Sequence, residues 1–209
     1  SNATEANQVA GGGVFTHVQK ANATEAIVFV KIDVQNDGPK RAKVNAKLRL
    51  LSPLGLEVYN TVKTLFIKSR SSNQLEDIIE IRQPKLWAPW SPNLYRLEVI
   101  LLDEKEMAID GVASRIGMRT VEFRGVDGLY LNGEPYPGKL MGANRHQDHA
   151  YVGNAMPNNA QWRDAKILKN ASCDMVRAAH YPADPAFMDA CDELGLFFIV
   201  ATPGWQFWS

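Results

Sequence analysis

The sequence has no excess of either charge: 23 Lys and Arg balance 23 Asp and Glu over 209 residues. A nucleic-acid binder needs a basic face to displace counterions from phosphates, and a membrane-surface module needs one to meet anionic lipids. The balance therefore argues against both as partners. Long hydrophobic runs are also missing, the longest being the six residues 196–201, where a spanning helix needs about 20. Cysteine is scarce. Cys173 and Cys191 match neither a disulfide framework nor a zinc ribbon, and their apolar settings predict reduced, packed thiols. There is no solenoid-type repeat, and no low-complexity tract beyond Gly11-Gly12-Gly13.

Both ends look cut. Ser1-Asn2-Ala3 resembles the scar of a removed affinity tag, so residues 1–3 are excluded from fold reasoning. The last residues, Pro203-Gly204-Trp205-Gln206-Phe207-Trp208-Ser209, are aromatic where termini are usually polar, which predicts a chain interrupted inside a fold.

Residues 14–124 read as strands. Ala42, Val44, Ala46, Leu48 and Leu50 alternate with Lys43, Asn45, Lys47 and Arg49, and Val30, Ile32 and Val34 alternate with Lys31, Asp33 and Gln35. A period of two puts one face in a core and the other in water. Asn36-Asp37-Gly38-Pro39 supplies the turn between these runs. Further runs at 14–19, 56–67, 75–82, 94–102 and 112–123 bring the total to about seven strands, which predicts an antiparallel, immunoglobulin-like sandwich.

The pattern changes near residue 125. Asn132-Gly133 marks a type I′ hairpin. A short strand is expected over 139–143, then a helix capped by Asn159 with Trp162, Ala165 and Leu168 on its apolar face, then a buried strand over 174–179. Asp184 caps a second helix with Pro185 at its first position, Phe187, Cys191 and Leu194 on one face and Gly195 at its end. Residues 196–201 form a third buried strand. The order β-α-β-α-β demands parallel strands covered by helices. Charge divides at the same point: residues 1–124 hold 17 basic and 14 acidic side chains, residues 125–209 hold 6 and 9.

Two polar clusters follow the parallel strands, where α/β folds place their sites. They are Gly142-Ala143-Asn144-Arg145-His146-Gln147-Asp148-His149 and Arg177-Ala178-Ala179-His180-Tyr181-Pro182. Amides, imidazoles and carboxylates bond hydroxyls in fixed geometry, and flat rings cover the apolar face of a pyranose, so such a mixture suits a sugar. Trp205 and Trp208 are placed to supply rings, whereas Trp87 and Trp90, in the sandwich part, read as packing residues. His146, Asp148, His149 and His180 include typical metal ligands, but no metal motif is matched.

Leu86-Trp87-Ala88-Pro89, Pro92-Asn93-Leu94-Tyr95, Arg115-Ile116-Gly117-Met118-Arg119-Thr120-Val121-Glu122, Leu131-Asn132-Gly133 and the two clusters occur in one order. That order resembles glycoside hydrolase family 2, the β-galactosidase, β-glucuronidase and β-mannosidase group. The resemblance implies a mixed fold: an all-β immunoglobulin-like sandwich over residues 4–124, then an incomplete (β/α) barrel segment over 125–209, the first part of a TIM-barrel catalytic domain. It also implies a retaining glycosidase whose acid/base and nucleophile Glu follow the fourth and seventh barrel strands, beyond Ser209. No catalytic carboxylate is therefore expected here, and the chain alone is expected to be inactive. Asp184 and Glu193 read as a helix cap and a surface residue.

The resemblance assigns supporting roles instead. His146 and His180 would contact sugar hydroxyls or developing charge, and Arg177 would aim the nucleophilic carboxylate. Asn144 and Asp148 would order the loop, and Trp205 would line the sugar. The sequence departs from the family's usual pattern at Asn170-Ala171-Ser172-Cys173, at Ala179 and after Val200. The expected partner is a β-galactoside or related glycoside. No metal or cofactor is expected in this segment, though a divalent cation in the longer parent fits the resemblance. Three strands cannot close a barrel, so homo-oligomerisation through the open edge is a further expectation. The competing reading is a non-catalytic sandwich that binds carbohydrate or packs between domains.

Overall fold

The computed structural model describes residues 13–201. Side-chain alternation builds a sandwich of seven long strands. β1 (Val14–Ala21), β2 (Glu25–Asn36) and β5 (Ser71–Arg82) form one sheet in the order β1-β2-β5. β3 (Ala42–Leu51), β4 (Glu57–Ile67), β8 (Tyr95–Leu102) and β9 (Ala108–Ile116) form the other in the order β4-β3-β8-β9. Every pairing in both sheets is antiparallel. Val28, Val30 and Ile79 from the first sheet meet Leu48, Leu50 and Leu97 from the second in one core, all fully buried. Each contributes about 1.5–3 kcal/mol of apolar transfer free energy. The Tyr95 hydroxyl accepts a hydrogen bond from the Lys85 backbone N–H at 2.9 Å, the upstream tether that immunoglobulin-like sandwiches place at this corner.

The strand expected over 112–123 is two strands, β9 and β10 (Val121–Phe123). Between them the chain leaves the sheet because it has other partners. The Met118 carbonyl accepts from Trp87 N–H at 3.0 Å, and the Thr120 carbonyl accepts from Asn132 N–H at 2.9 Å. Trp87 opens a small hairpin of β6 (Trp87–Ala88) and β7 (Ser91–Pro92). β10, β11 (Leu129–Leu131) and β12 (Glu134–Pro135) make a small antiparallel sheet. Asn132 and Gly133 turn its second corner with positive φ of 57° and 85°, as a type I′ turn requires.

Then comes the parallel layer: β13 (Gly142–Arg145), α1 (Asn158–Asn170), β14 (Met175–Ala178), α2 (Pro185–Leu194) and β15 (Phe197–Ile199). The strands pair in parallel in the order β13-β14-β15. No barrel closes among the described residues. β13 starts three residues later than the expected 139, because pairing begins at Gly142. There a Cβ would lie 2.3 Å from the Met175 carbonyl oxygen, so only glycine lets the two strands approach. β15 covers three residues rather than six.

The α1 cap also differs from expectation. The helix starts at Asn158 behind Pro157, which caps it without a side-chain hydrogen bond; Asn159 lies inside the first turn. Pro157 sits at φ −70°, a value its ring imposes, and its carbonyl accepts from Ala160 and Gln161 N–H at 2.9 and 3.2 Å. Trp162 is turned away from the core, where Gln161 and Ala165 are buried instead. α2 matches its signals: Asp184 Oδ1 accepts from Ala186 N–H at 2.8 Å, and Gly195 ends the helix at φ 75°. Cys191 is buried and free, Cys173 half-buried and free, and burial pushes the Cys191 thiol up to about 12.

The sandwich and the parallel layer lock together at the C-terminal half of α2. The fully buried Trp87 donates from its indole N–H to the Asp192 carbonyl at 2.8 Å. Arg119 lies over the Trp87 ring, 4.3 Å from its centre, and pairs with Asp192 at 2.9 Å. Arg115 pairs with Glu193, and with Asp189 at 3.4 Å. Trp162 donates to the other Glu193 oxygen at 3.0 Å. Lys169 bridges the Pro89 and Gly195 carbonyls at 2.8 and 2.9 Å, and Asn132 donates to the Trp87 carbonyl at 3.1 Å. Burial would raise the Glu193 carboxyl, but the hydrogen bonds from Arg115 and Trp162 outweigh it and hold the carboxyl below its usual range.

Candidate functional site

The site residues lie on and just past the C-terminal ends of the parallel strands. Asn144, Arg177 and Ile199 stand opposite one another across β13, β14 and β15. Side chains alternate along a strand, so these three share a face. The other face carries Val176 and Phe198 into the core with α1 and α2. Arg177 Nη1 reaches Asn144 Oδ1 at 3.5 Å, the long end of hydrogen bonding. Two residues beyond β14, across a cis Ala179–His180 peptide, the His180 ring stands edge-on to the His146 ring, with centroids 5.5 Å apart. The strands thus deliver an amide and a guanidinium, and the loops just past them two imidazoles, to the same end of the sheet. Such a set donates and accepts toward hydroxyls and holds a carboxylate in a planar fork.

Asn144 meets Arg177, and His146 meets His180, at the same end of the parallel strands. Asp148 sits on the exposed loop after β13 and joins none of these contacts. Trp205 and Trp208 lie outside the described residues. No three His, Cys, Asp or Glu side chains converge as metal ligands among the described residues. At the opposite end of the strands the floor is aromatic: Phe197 stands edge-on to Trp87 and Tyr136 at 5.5 and 5.7 Å. Among the described residues β13 and β15 are the two edges of the sheet, and at β15 Ile199 and Val200 are exposed beside a mostly apolar cavity of about 450 Å³.

Two positioning residues escape sequence reasoning. Arg145, one step from Asn144, has its side chain 8% exposed and points to the helices. It donates to Asp164 Oδ2 at 3.0 and 3.3 Å and to Gln161 Oε1 at 2.7 Å, and its guanidinium lies 3.9 Å from the centre of the Phe187 ring. Gln147, the residue after His146, ties the two loops together. Its Oε1 accepts from Asp184 N–H at 3.0 Å, and its Nε2 donates to the Asn154 carbonyl at 3.0 Å. Strand alternation would have exposed Arg145 had β13 been placed in the right register; nothing local marks Gln147.

An immunoglobulin-like sandwich leading into parallel β-α-β-α-β units, with a polar group at the strand ends, defines the class: a β-sandwich joined to the opening units of a β/α layer, which place candidate site residues at the C-terminal strand ends. Residues 13–119 match the model for glycosyl hydrolases family 2, and residues 121–207 match that family's TIM barrel domain. The chain belongs to glycosyl hydrolase family 2. A β-galactosidase of Thermoanaerobacter pseudethanolicus is 46% identical over 129 residues, which are 61% of this chain and 17% of that protein. A β-galactosidase of Thermoanaerobacterium thermosulfurigenes is 34% identical over 177 residues, 84% of this chain and 24% of that one. The solved structure of Bacteroides uniformis β-glucuronidase 2, covalently bound to cyclophellitol-6-carboxylate aziridine, superposes with a TM-score of 0.84 at 28% identity, covering 93% of this chain and 24% of the other. The chain thus spans about a fifth of the length of the proteins it matches.

Proposed function

We propose that this chain supplies one wall of the active site of a retaining glycoside hydrolase that, in a longer protein, cleaves β-galactosides or related β-linked glycosides. The observation that carries this reading is the in-register Asn144–Arg177 pair beside the His146–His180 pair at the ends of parallel strands. The names of the relatives supply the substrate class. In this role the Arg177 fork keeps a nucleophilic carboxylate ionised and aimed, while Asn144 and the imidazoles bond sugar hydroxyls. The loop that holds His146 is ordered by Gln147 rather than by Asp148, and Trp205 covers the apolar face of the ring.

Retaining hydrolysis needs two carboxyl groups about 5–5.5 Å apart, one to protonate the leaving oxygen and one to attack the anomeric carbon. Apart from Asp148, which stands alone on its exposed loop and so cannot supply a carboxyl pair, the carboxylates around the parallel layer are committed elsewhere. Asp164 holds Arg145, Asp174 accepts from Met141 N–H, Asp184 caps α2, and Asp189, Asp192 and Glu193 bind the sandwich arginines. The chain by itself is therefore inferred to lack turnover. In the longer protein, Arg177→Ala should lower kcat on an aryl β-galactoside on the order of a hundredfold, the cost of a misplaced nucleophile, with the melting temperature little changed. An unchanged kcat would remove Arg177 from this role.

A further inference from the structure

Trp90 breaks the pattern of its neighbours. The sequence reads it as a packing residue like Trp87, yet its side chain is 63% exposed while Trp87 is fully buried. The backbone that carries it is fastened on both flanks. The Pro89 carbonyl accepts from Lys169 at 2.8 Å and abuts Gly195, where a Cβ would lie 2.3 Å from that oxygen. Asn93 Nδ2 donates to the Leu86 carbonyl and to Ser91 Oγ, both at 2.9 Å. Tyr136 packs against the indole with ring centres 5.9 Å apart and the planes tilted by 36°. A large ring is thus carried on a fastened backbone and backed by Tyr136 while most of its surface stays in water.

That ring walls an open cavity of about 620 Å³, whose lining also includes Asn22, Lys85, Ser91 and Glu134. The volume lies within the range of small-molecule sites, about 300–1,000 Å³. Lys85 and Glu134 are exposed, and neither side chain is paired with another described residue. The cavity shares no lining residue with the Asn144–Arg177 group.

We propose that this cavity is a second carbohydrate site, taking a pyranoside with its apolar face on the Trp90 ring and its hydroxyls on Glu134 and Lys85. A flat ring wall already fixed in place loses little freedom on binding. A carboxylate accepts two hydroxyl hydrogens and an ammonium donates three, which suits adjacent ring hydroxyls. The rim bears one charge of each sign and so gives no net preference for an ion of either sign, which suits a neutral polyhydroxyl ligand. Only the choice of sugar as ligand class leans on the glycosidase reading; the wall and the rim do not.

The test is a lactose titration of the 209-residue chain, read from the indole N–H resonances in 1H–15N spectra. The resonance that disappears in Trp90→Ala should shift along a saturable curve. Trp90→Ala should weaken binding about tenfold or more, Trp90→Phe should restore part of it, and Glu134→Gln should weaken it while amide dispersion stays native. Arg177→Ala should leave the titration unchanged. No saturable shift up to about 50 mM lactose, binding that survives Trp90→Ala, or shifts confined to residues 142–180 would each overturn the proposal. The glycosidase reading fails separately, through the kcat of Arg177→Ala in the longer protein.

Discussion

Arg145 and Arg177 sit one register step apart on neighbouring strands and face opposite sides of the sheet. Arg145 is sealed among Asp164, Gln161, Met156 and Phe187, so it organises the helix layer. Among the described residues Arg177 has only the long side-chain contact to Asn144. Removing one partner of a buried pair leaves the other charge uncompensated. Arg145→Ala should therefore lower the unfolding free energy by about 3 kcal/mol, measured by urea titration. Arg177→Ala, which uncovers no paired carboxylate, should change it far less. Asp184, Pro185 and Gly195 were legible in the sequence because a helix cap is written in adjacent residues. Arg145 was not, because its direction depends on a register set by a strand 30 residues away. Trp87 and Trp90 are three residues apart in the same motif, and only tertiary packing separates the buried indole from the exposed one.

At the scale of elements, the motifs that carry the family resemblance meet in space. Trp87, Arg115, Gly117, Arg119 and Asn132 all gather at the joint between sandwich and α2. Gly117 is there because a Cβ would lie 3.0 Å from the Trp87 ring. The joint fixes the C-terminal half of α2, while Gln147 ties its N-terminus to the loop bearing His146. The alternating strands were readable one by one, since period two is local. The joint was not, since the contacts that Trp87, Arg115 and Arg119 make to α2 span 73 to 105 residues.

Titration of Glu193 gives a test of the joint. Its carboxyl is held below the usual range in the folded chain, so its stabilising contribution is present above the unfolded value of about 4.3 and is lost as pH falls through the folded value. Urea midpoints taken from pH 7 down to 3 should fall more steeply for the native chain than for Glu193→Gln. Parallel curves would show that Glu193 does not hold the joint.

At the scale of the molecule, one complete sandwich supports three parallel strands that end in an open edge, in a chain about a fifth as long as its relatives. The sandwich makes no direct contact with the Asn144–Arg177 group in the hydrogen bonds and ion pairs described; it acts through α2 and the aromatic floor of Trp87 and Phe197. A division of labour follows: the sandwich sets the pose of the parallel units, and those units carry the polar groups at their strand ends, to which the proposed function gives the orienting of a sugar and a carboxylate. The most direct measurement is turnover of an aryl β-galactoside by the purified 209-residue chain beside the longer protein that contains it. The account predicts hydrolysis by the longer protein and none by the chain; hydrolysis by the chain alone that disappears on Arg177→Ala, or none by the longer protein across β-linked aryl glycosides, would contradict it.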